Sequence, residues 1–401
     1  MTLARREALW LLAIALVAAN LRPVITSVPP LVDSLARSVG LSAVGTGLLT
    51  TLPVVCMGLF APVAALASRR FGEATVLAAA VAVIALGAAA RALGGVAGLF
   101  AGTLTAGIGI AVAGALLPSL VRRRMPDRVG PVTGFYTAAL IGGALVGAGG
   151  TEPLRAALGW SAQGVLAVWA VPALLALTMW LALPPGDQPI PTRRPPTGLP
   201  WRSGAAWLGT LFMGAQSLLF YATLAWLAAT YTALGMSAHR AGLLLAVFSA
   251  AQIITALAMP AMAHRTHDVR PWIAVSVSLT VVALALVAVV PVGLLGKAAP
   301  WAWATVLGLG MGGNFSLALT VVTESAPTPE AAPAYAGMAF FVGYLVAAPG
   351  PVAAGALREA TGGFTAVFLT LAALGVVTLA LGLAAGRSAQ DPHDHELAVV
   401  T

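Results

Sequence analysis

Twelve apolar runs, each long enough to cross a lipid bilayer, constrain this chain more than any motif it carries. They fall at about 8–31, 44–67, 74–93, 96–121, 131–151, 157–183, 204–233, 238–263, 271–293, 299–323, 333–356 and 363–385. A helical span needs about 20 apolar residues, whereas a barrel strand needs about 10 and alternates in polarity. These runs are continuous, so helices, which satisfy their backbone polar groups internally, are the structure that fits. Composition agrees: of 401 residues 59% are hydrophobic and 8% charged, against about 25% charged in a soluble domain. The reading is an all-α membrane protein with twelve transmembrane helices. The single cysteine, Cys56, lies inside a span, so neither a disulfide framework nor a cysteine metal cluster arises within the chain. The opening "MTLARREALWLLAIALVAANLRP" resembles a signal peptide, but it reads as the first of many spans and is expected to be retained.

The links are short, except for the proline-rich "PPGDQPIPTRRPPTGLPWR" at 184–202, whose composition is that of a semi-rigid linker. It divides the spans six and six. The expected organisation is a six-helix bundle over 1–183, a cytoplasmic linker over 184–202, a second six-helix bundle over 203–386 and a cytoplasmic tail over 387–401. With both termini in the cytoplasm, fourteen of the 21 lysines and arginines fall inside; Arg37, Arg91, Arg155, Arg240, Lys297 and Arg358 fall outside. That asymmetry is the positive-inside bias. It accounts for the net charge of +8 without invoking nucleic acid, and with the twelve runs it describes a multi-pass membrane protein.

The halves repeat. At an offset of 201, Gly107 meets Gly308, Gly109 meets Gly310, Pro126 meets Pro327, Gly142 meets Gly343 and Gly149 meets Gly350. Small residues recurring on corresponding spans suggest the same close helix contacts in both halves. Two six-helix bundles related by pseudo-two-fold symmetry describe the major facilitator fold, in which solute binds near the midplane between the halves.

At that depth the polar side chains are few. In "AANLRPVITSVPPLV", residues 18–32, Arg22 lies about 21 Å along a helix begun near residue 8, in hydrocarbon about 30 Å thick. Pro23 lacks an N–H and disfavours helix at the residue before it, so a bend is expected. Irregular backbone at this depth lines protein or a wet cavity. Asn20, Arg22 and Thr26 are therefore candidate solute contacts. All thirteen acidic residues fall in loops, tails or last helical turns. A buried guanidinium without a carboxylate calls for carbonyls, water or an anion from outside, and its planar donors suit paired oxygens. The alternative is an Arg22 held by the carbonyls its own bend sets free. In the second half Gln216 and Tyr221 in the seventh run, Gln252 in the eighth and Asn314 in the tenth are further candidates. For each amide, pinning helices together is the competing role.

No phosphate-cradling loop, HExxH or nucleophile elbow is present, so the chain is not read as an enzyme and no cofactor is expected. It reads as a secondary active or facilitative transporter of a small anionic or hydrogen-bond-accepting solute. The competing readings are an exporter of hydrophobic compounds and a non-transporting membrane receptor. Lipid and the solute are the expected partners, a proton is a candidate coupling ion, and the chain is expected to be a monomer.

"NLRPVITSVPPLV", "GAQSLLFYATLAWL", "GLGMGGNFSLALT" and "AGMAFFVGYLVAAPGPVAAGALREATGGF" resemble the cyanate and nitroimidazole transporter family of the major facilitator superfamily. The resemblance covers nearly the whole chain. It implies a multi-pass carrier of the plasma (inner) membrane that moves small molecules by rocking of two halves, with the loop at Arg69, Arg70 and Gly72 as a gating element. Two departures stand out: "ALASRRFGEA" has Ser68 where the superfamily loop usually carries an acid, and Glu324 stands where a basic residue is expected.

Overall fold

The computed structural model describes residues 3–125, 128–183, 198–291, 296–328 and 331–390, and every regular element among them is helical. Twelve helical segments are long and apolar enough to cross a membrane. They are Glu7–Val39, Ala43–Phe71, Glu73–Leu93, Gly95–Arg124, Val132–Leu158, Ala162–Leu181, Gly204–Ala233, Ala238–Thr266, Arg270–Val289, Gly296–Glu324, Ala332–Thr361 and Thr365–Ala389, here spans one to twelve. Exposed Leu66, Leu86, Leu181 and Val289 show the side that belongs to lipid, since a water-facing surface would not keep so many large apolar side chains. The residues group into two compact units. One draws on 1–193 with 236–246, the other on 194–235 with 247–401. Of the expected linker, 184–197 lies outside the described residues, as does 391–401 of the expected tail; the helix of span twelve runs to Gln390, past the boundary expected at 386.

In the first unit, glycines set the helix spacing. A Cβ on Gly109 of span four would lie 2.7 Å from Ile84 Cγ1 and press on the Ala80 carbonyl of span three. A Cβ on Gly87 of span three would strike the backbone of Gly102 and Ala106. Spans three and four therefore touch backbone to backbone, the packing available where lipid tails offer no hydrophobic drive and van der Waals contact must hold the pair. Ser42 and Ser161 cap the starts of spans two and six, accepting from Gly45 N at 3.1 Å and Gly164 N at 3.0 Å, which satisfies amide groups a helix leaves over at its first turn. Past its two prolines span one continues to Val39 as an amphipathic helix, with Asp33 in its first turn and Arg37 in its last, each charge at the end where the helix dipole favours it. The first apolar run of the sequence reading stops at about 31, whereas the helical segment continues past Pro29 and Pro30, which sit in the first turn of a 3-10 helix, where prolines are tolerated.

The second unit repeats the pattern. A Cβ on Gly310 of span ten would lie 2.8 Å from Thr280 N and 2.9 Å from the Ser276 carbonyl of span nine. Gly308 presses on Phe248 and Ala251 of span eight, as Gly107 presses on Pro53 and Cys56 of span two. Not every glycine match made in sequence is matched in contact. Gly142 has nothing within 4 Å, and it is Gly143 that meets span one as Gly343 meets span seven. Pro126 lies outside the described residues. Arg91 departs most from expectation. Counted above as an outer-loop residue, it closes span three in a short 3-10 turn and is completely buried. Glu152 and Arg155, beyond the fifth apolar run as read from sequence, sit in the last turns of a helix that runs on through Pro153 to Leu158, paired at 2.8 Å.

Candidate functional site

Span one breaks where its proline demands. The helix Leu3–Ala19 ends with Asn20 N donating to the carbonyls of Leu16 and Val17, and with Leu21 N donating to Ala18 O at 3.1 Å. The last turn has tightened to the 3-10 type. Pro23 cannot return a hydrogen bond to Ala19. The chain restarts as Pro23–Thr26 with Arg22 at its N-cap, then passes through the 3-10 turn Pro29–Leu31. The Arg22 carbonyl accepts from Ile25 N at 2.9 Å, Thr26 N at 3.0 Å and Thr26 Oγ1 at 3.2 Å. The rule for residues before proline disfavours helix at Arg22. The residue instead keeps φ −110°, ψ −35°, and the helix yields by dropping hydrogen bonds rather than by extending.

Span five is shaped to receive this break. A Cβ on Gly143 would overlap the Ala19 carbonyl, the group whose partner Pro23 removes. A Cβ on Gly147 would overlap Thr26 Oγ1 and come within 2.8 Å of Pro23 Cα. The pair is a G-x-x-x-G step, which lets backbones approach closely.

The three candidates of this segment separate. Asn20 is buried, and its Nδ2 donates to Leu16 O at 2.8 Å and to Pro172 O of span six at 3.1 Å, so its amide pins spans one and six. Thr26 is buried and bonds within its own turn. Arg22 is half-buried, the one of the three with appreciable accessible surface.

In the second unit, the four candidates lie on spans seven, eight and ten. Gln216 is buried and its Nε2 donates to Ser217 Oγ at 2.7 Å and Met213 O at 3.1 Å. Tyr221 is buried with its ring edge-on to Phe220 at 5.0 Å and near Tyr344 at 6.3 Å. Gln252 is half-buried and reaches Phe248 O only at 3.4 Å, a weak bond that leaves the side chain lightly committed. Asn314 is buried, and its Nδ2 donates to Thr280 Oγ1 of span nine at 3.0 Å. Glycines at 308, 310, 312 and 313 bring span ten close to spans eight and nine, and Asn314 falls inside that contact as a helix pin.

Arg69 and Arg70 are exposed at the end of span two, with the Arg70 guanidinium 5.4 Å from the Phe71 ring centre. Gly72 takes φ 82°, a turn that favours glycine, and its N–H closes the helix on Ser68 O at 2.9 Å. The acid missing at Ser68 is found five residues on. Glu73 pairs with Arg123 of span four at 3.1 Å and accepts from Ser119 Oγ at 3.1 Å. Nearby, Arg124 stacks on Trp10 at 4.1 Å, and Trp10 meets Trp180 edge-on at 5.3 Å. Sequence reasoning missed Glu73 and Arg91. The signal for the first is its place directly after Gly72, at the first position of a new helix and within reach of a basic run; for the second it is the small-residue face of span four that admits a long side chain. Among the described residues no three His, Cys, Asp or Glu gather as a metal site.

Comparison with known proteins accords with this architecture. The model of the Major Facilitator Superfamily matches residues 10–351. The chain is 35% identical over 378 residues to the 2-nitroimidazole transporter of Escherichia coli (strain K12), covering 93% of this chain and 94% of that one. It is 32% identical over 392 residues to the cyanate transport protein CynX of the same organism, covering 95% and 98%. Among solved structures, the nucleoside transporter NupG aligns with TM-score 0.76 at 13% identity, covering 94% of this chain and 99% of that one, a likeness of fold. With twelve spans, glycine contacts repeated in each unit and relatives of this kind along nearly its whole length, the chain belongs to the Major Facilitator Superfamily and is a transporter rather than an enzyme.

Proposed function

We propose that the protein carries a small anionic or acceptor-rich solute by alternating access, with Arg22 as the anchor for its negative oxygens or nitrogens. The observation that carries this reading is a half-buried guanidinium placed at the break of span one. A fixed cation at that depth is costly for structure alone, and its fork of donors matches carboxylate-like groups. Relatives named for cyanate, an anion, and for 2-nitroimidazole, a nitro compound, share the acceptor chemistry that such a fork recognises. In the second unit, Gln252 is the amide least committed to its own helix, and we assign it to the solute ahead of Gln216 and Tyr221. Asn20, Thr26 and Asn314 shape the helices that hold these groups. Arg69, Arg70 and Gly72 are proposed as a gating turn. The positive-inside bias supports a cytoplasmic place for both termini; the plasma membrane, a monomer and a proton as coupling ion complete the proposal.

The test is counterflow in proteoliposomes with labelled cyanate. Competition by 2-nitroimidazole, nitrate and formate, and none by uncharged compounds of the same size that lack strong acceptors, is the expected pattern. Exchange blocked equally by apolar drugs and by anions would instead make this an exporter of hydrophobic compounds. No exchange of any of these probes would reject the proposed solute class.

A further inference from the structure

Arg91 takes no part in the reading above, and its surroundings are unusual for a guanidinium. It is completely buried at the end of span three, its stem lying against Gly102 of span four, where a Cβ would come within 2.9 Å of Arg91 Cγ. Its Nη1 donates to the Val24 carbonyl at 2.8 Å, just past the break in span one. Its Nε and Nη2 meet no acceptor among the described residues. Those two groups form the edge that holds a carboxylate elsewhere in the same molecule, in Arg155 with Glu152 and in Arg270 with Asp268. Ser27, also completely buried, has a hydroxyl with no partner. It lies three residues beyond Val24 in a helical turn, so the two share a face.

The chemistry of this cluster is one-sided. A neutral carbonyl satisfies one arm of the guanidinium but none of its charge. What remains is a positive charge with two parallel N–H donors, and a hydroxyl near the same turn. Buried donors left unmade and buried charge left unpaired are both strongly unfavourable. A group that accepts from two parallel N–H donors and brings one negative charge removes both costs. We propose that Arg91 and Ser27 form a buried site for a small monovalent anion, of halide or formate size, that locks span three to the broken segment of span one. Burial distinguishes this site from the proposed solute anchor: Arg22 retains accessible surface and Arg91 has none.

The test uses the purified full chain. Thermal unfolding is followed in sodium bromide, sodium formate and sodium gluconate at equal ionic strength. A saturable rise in midpoint in bromide or formate, absent in gluconate, is expected for the wild type, because a ligand bound to the folded state alone stabilises it by mass action. The rise in bromide should vanish in Arg91→Gln and persist in Arg22→Gln, while the rise in formate, to which the proposed solute site also contributes, should shrink in each of the two variants. Ser27→Ala, which removes one neutral donor, should raise the half-saturating concentration by about two- to tenfold. Crystals grown in bromide should show anomalous signal within hydrogen-bonding distance of Arg91 Nε and Nη2. In Arg22→Gln, bromide without formate stabilisation would limit the site to halides, and the reverse to planar oxyanions. A midpoint indifferent to anion identity overturns the proposal, as does an equal response in Arg91→Gln or water alone at that position. Should Arg91→Gln not fold, an unchanged half-saturation in Ser27→Ala overturns it.

Discussion

Spans one and seven hold corresponding places in the two units, yet one is broken and the other is not. Span seven runs 30 residues from Gly204 to Ala233 without interruption, and its polar side chains Gln216 and Ser217 bond to each other and to their own turn. Span one carries Pro23, loses its ladder between Ala19 and Pro23, and places Arg22 at the gap. Each is met by a glycine of the span that packs on it, and the fits differ. A Cβ on Gly343 would stand 3.3 Å from Gly214 N, close to ordinary contact. A Cβ on Gly143 would overlap the Ala19 carbonyl outright. The second unit keeps a continuous helix with neutral groups satisfied locally. The first gives up hydrogen bonds to present a charge, and fits its neighbour around the loss.

That contrast can be broken most forcefully at the two glycines. Gly143→Val drives a branched side chain into backbone that cannot turn aside, and overpacking of this kind costs about 1–3 kcal/mol or more. We expect a large fall in unfolding midpoint and in uptake. Gly343→Ala, matched in position, should shift the midpoint far less; equal losses would mean the two seats are not different. Pro23→Ala comes next. Restoring an N–H at residue 23 permits the ladder to close and should make span one resemble span seven, with a midpoint equal to or above wild type. Displacing Arg22 should slow transport about 10- to 100-fold, the scale at which small misplacements act on a positioned group. Amide exchange at residues 21–24 would report whether the ladder formed.

Smaller effects sharpen the comparison inside the second unit. Asn314→Ala removes the donor to Thr280 Oγ1, which keeps its own bond to Ser276 O, and empties a buried side-chain position; it should cost about 1–3 kcal/mol of stability, with half-saturation for cyanate unchanged. Gln252→Ala should do the reverse, raising half-saturation about two- to tenfold for the loss of one neutral hydrogen bond with little change in midpoint. If Asn314→Ala moves half-saturation instead, the assignment of pin and contact is inverted. The least effect is expected at Ser42→Ala, which removes a cap and costs about 1 kcal/mol without altering transport.

The number, type and approximate extent of the spans were legible because each rests on a long apolar run, and the bend at Pro23 because proline acts locally. What escaped was what depends on the neighbouring helix. Arg91 sits beside "ALGG" and looks like a loop arginine; only the absence of a side chain at Gly102, on the next span, lets it fold inward. Asn314 and Asn20 are indistinguishable from solute contacts in sequence, since an amide that bonds a hydroxyl or a carbonyl on another helix carries no local mark. Gly143 and Gly142 are adjacent and identical, and only the azimuth at which span five meets span one decides which of them matters.

The account stands on the guanidinium of Arg22 meeting the charge of the solute. The direct measurement is equilibrium binding of cyanate to the purified wild type and to Arg22→Gln, with unfolding midpoints recorded for both. Loss of a charge-assisted hydrogen bond is worth about 1.5–3 kcal/mol, so we predict affinity lower by roughly ten- to a hundredfold at an unchanged midpoint. Equal affinity in two equally stable proteins would contradict it.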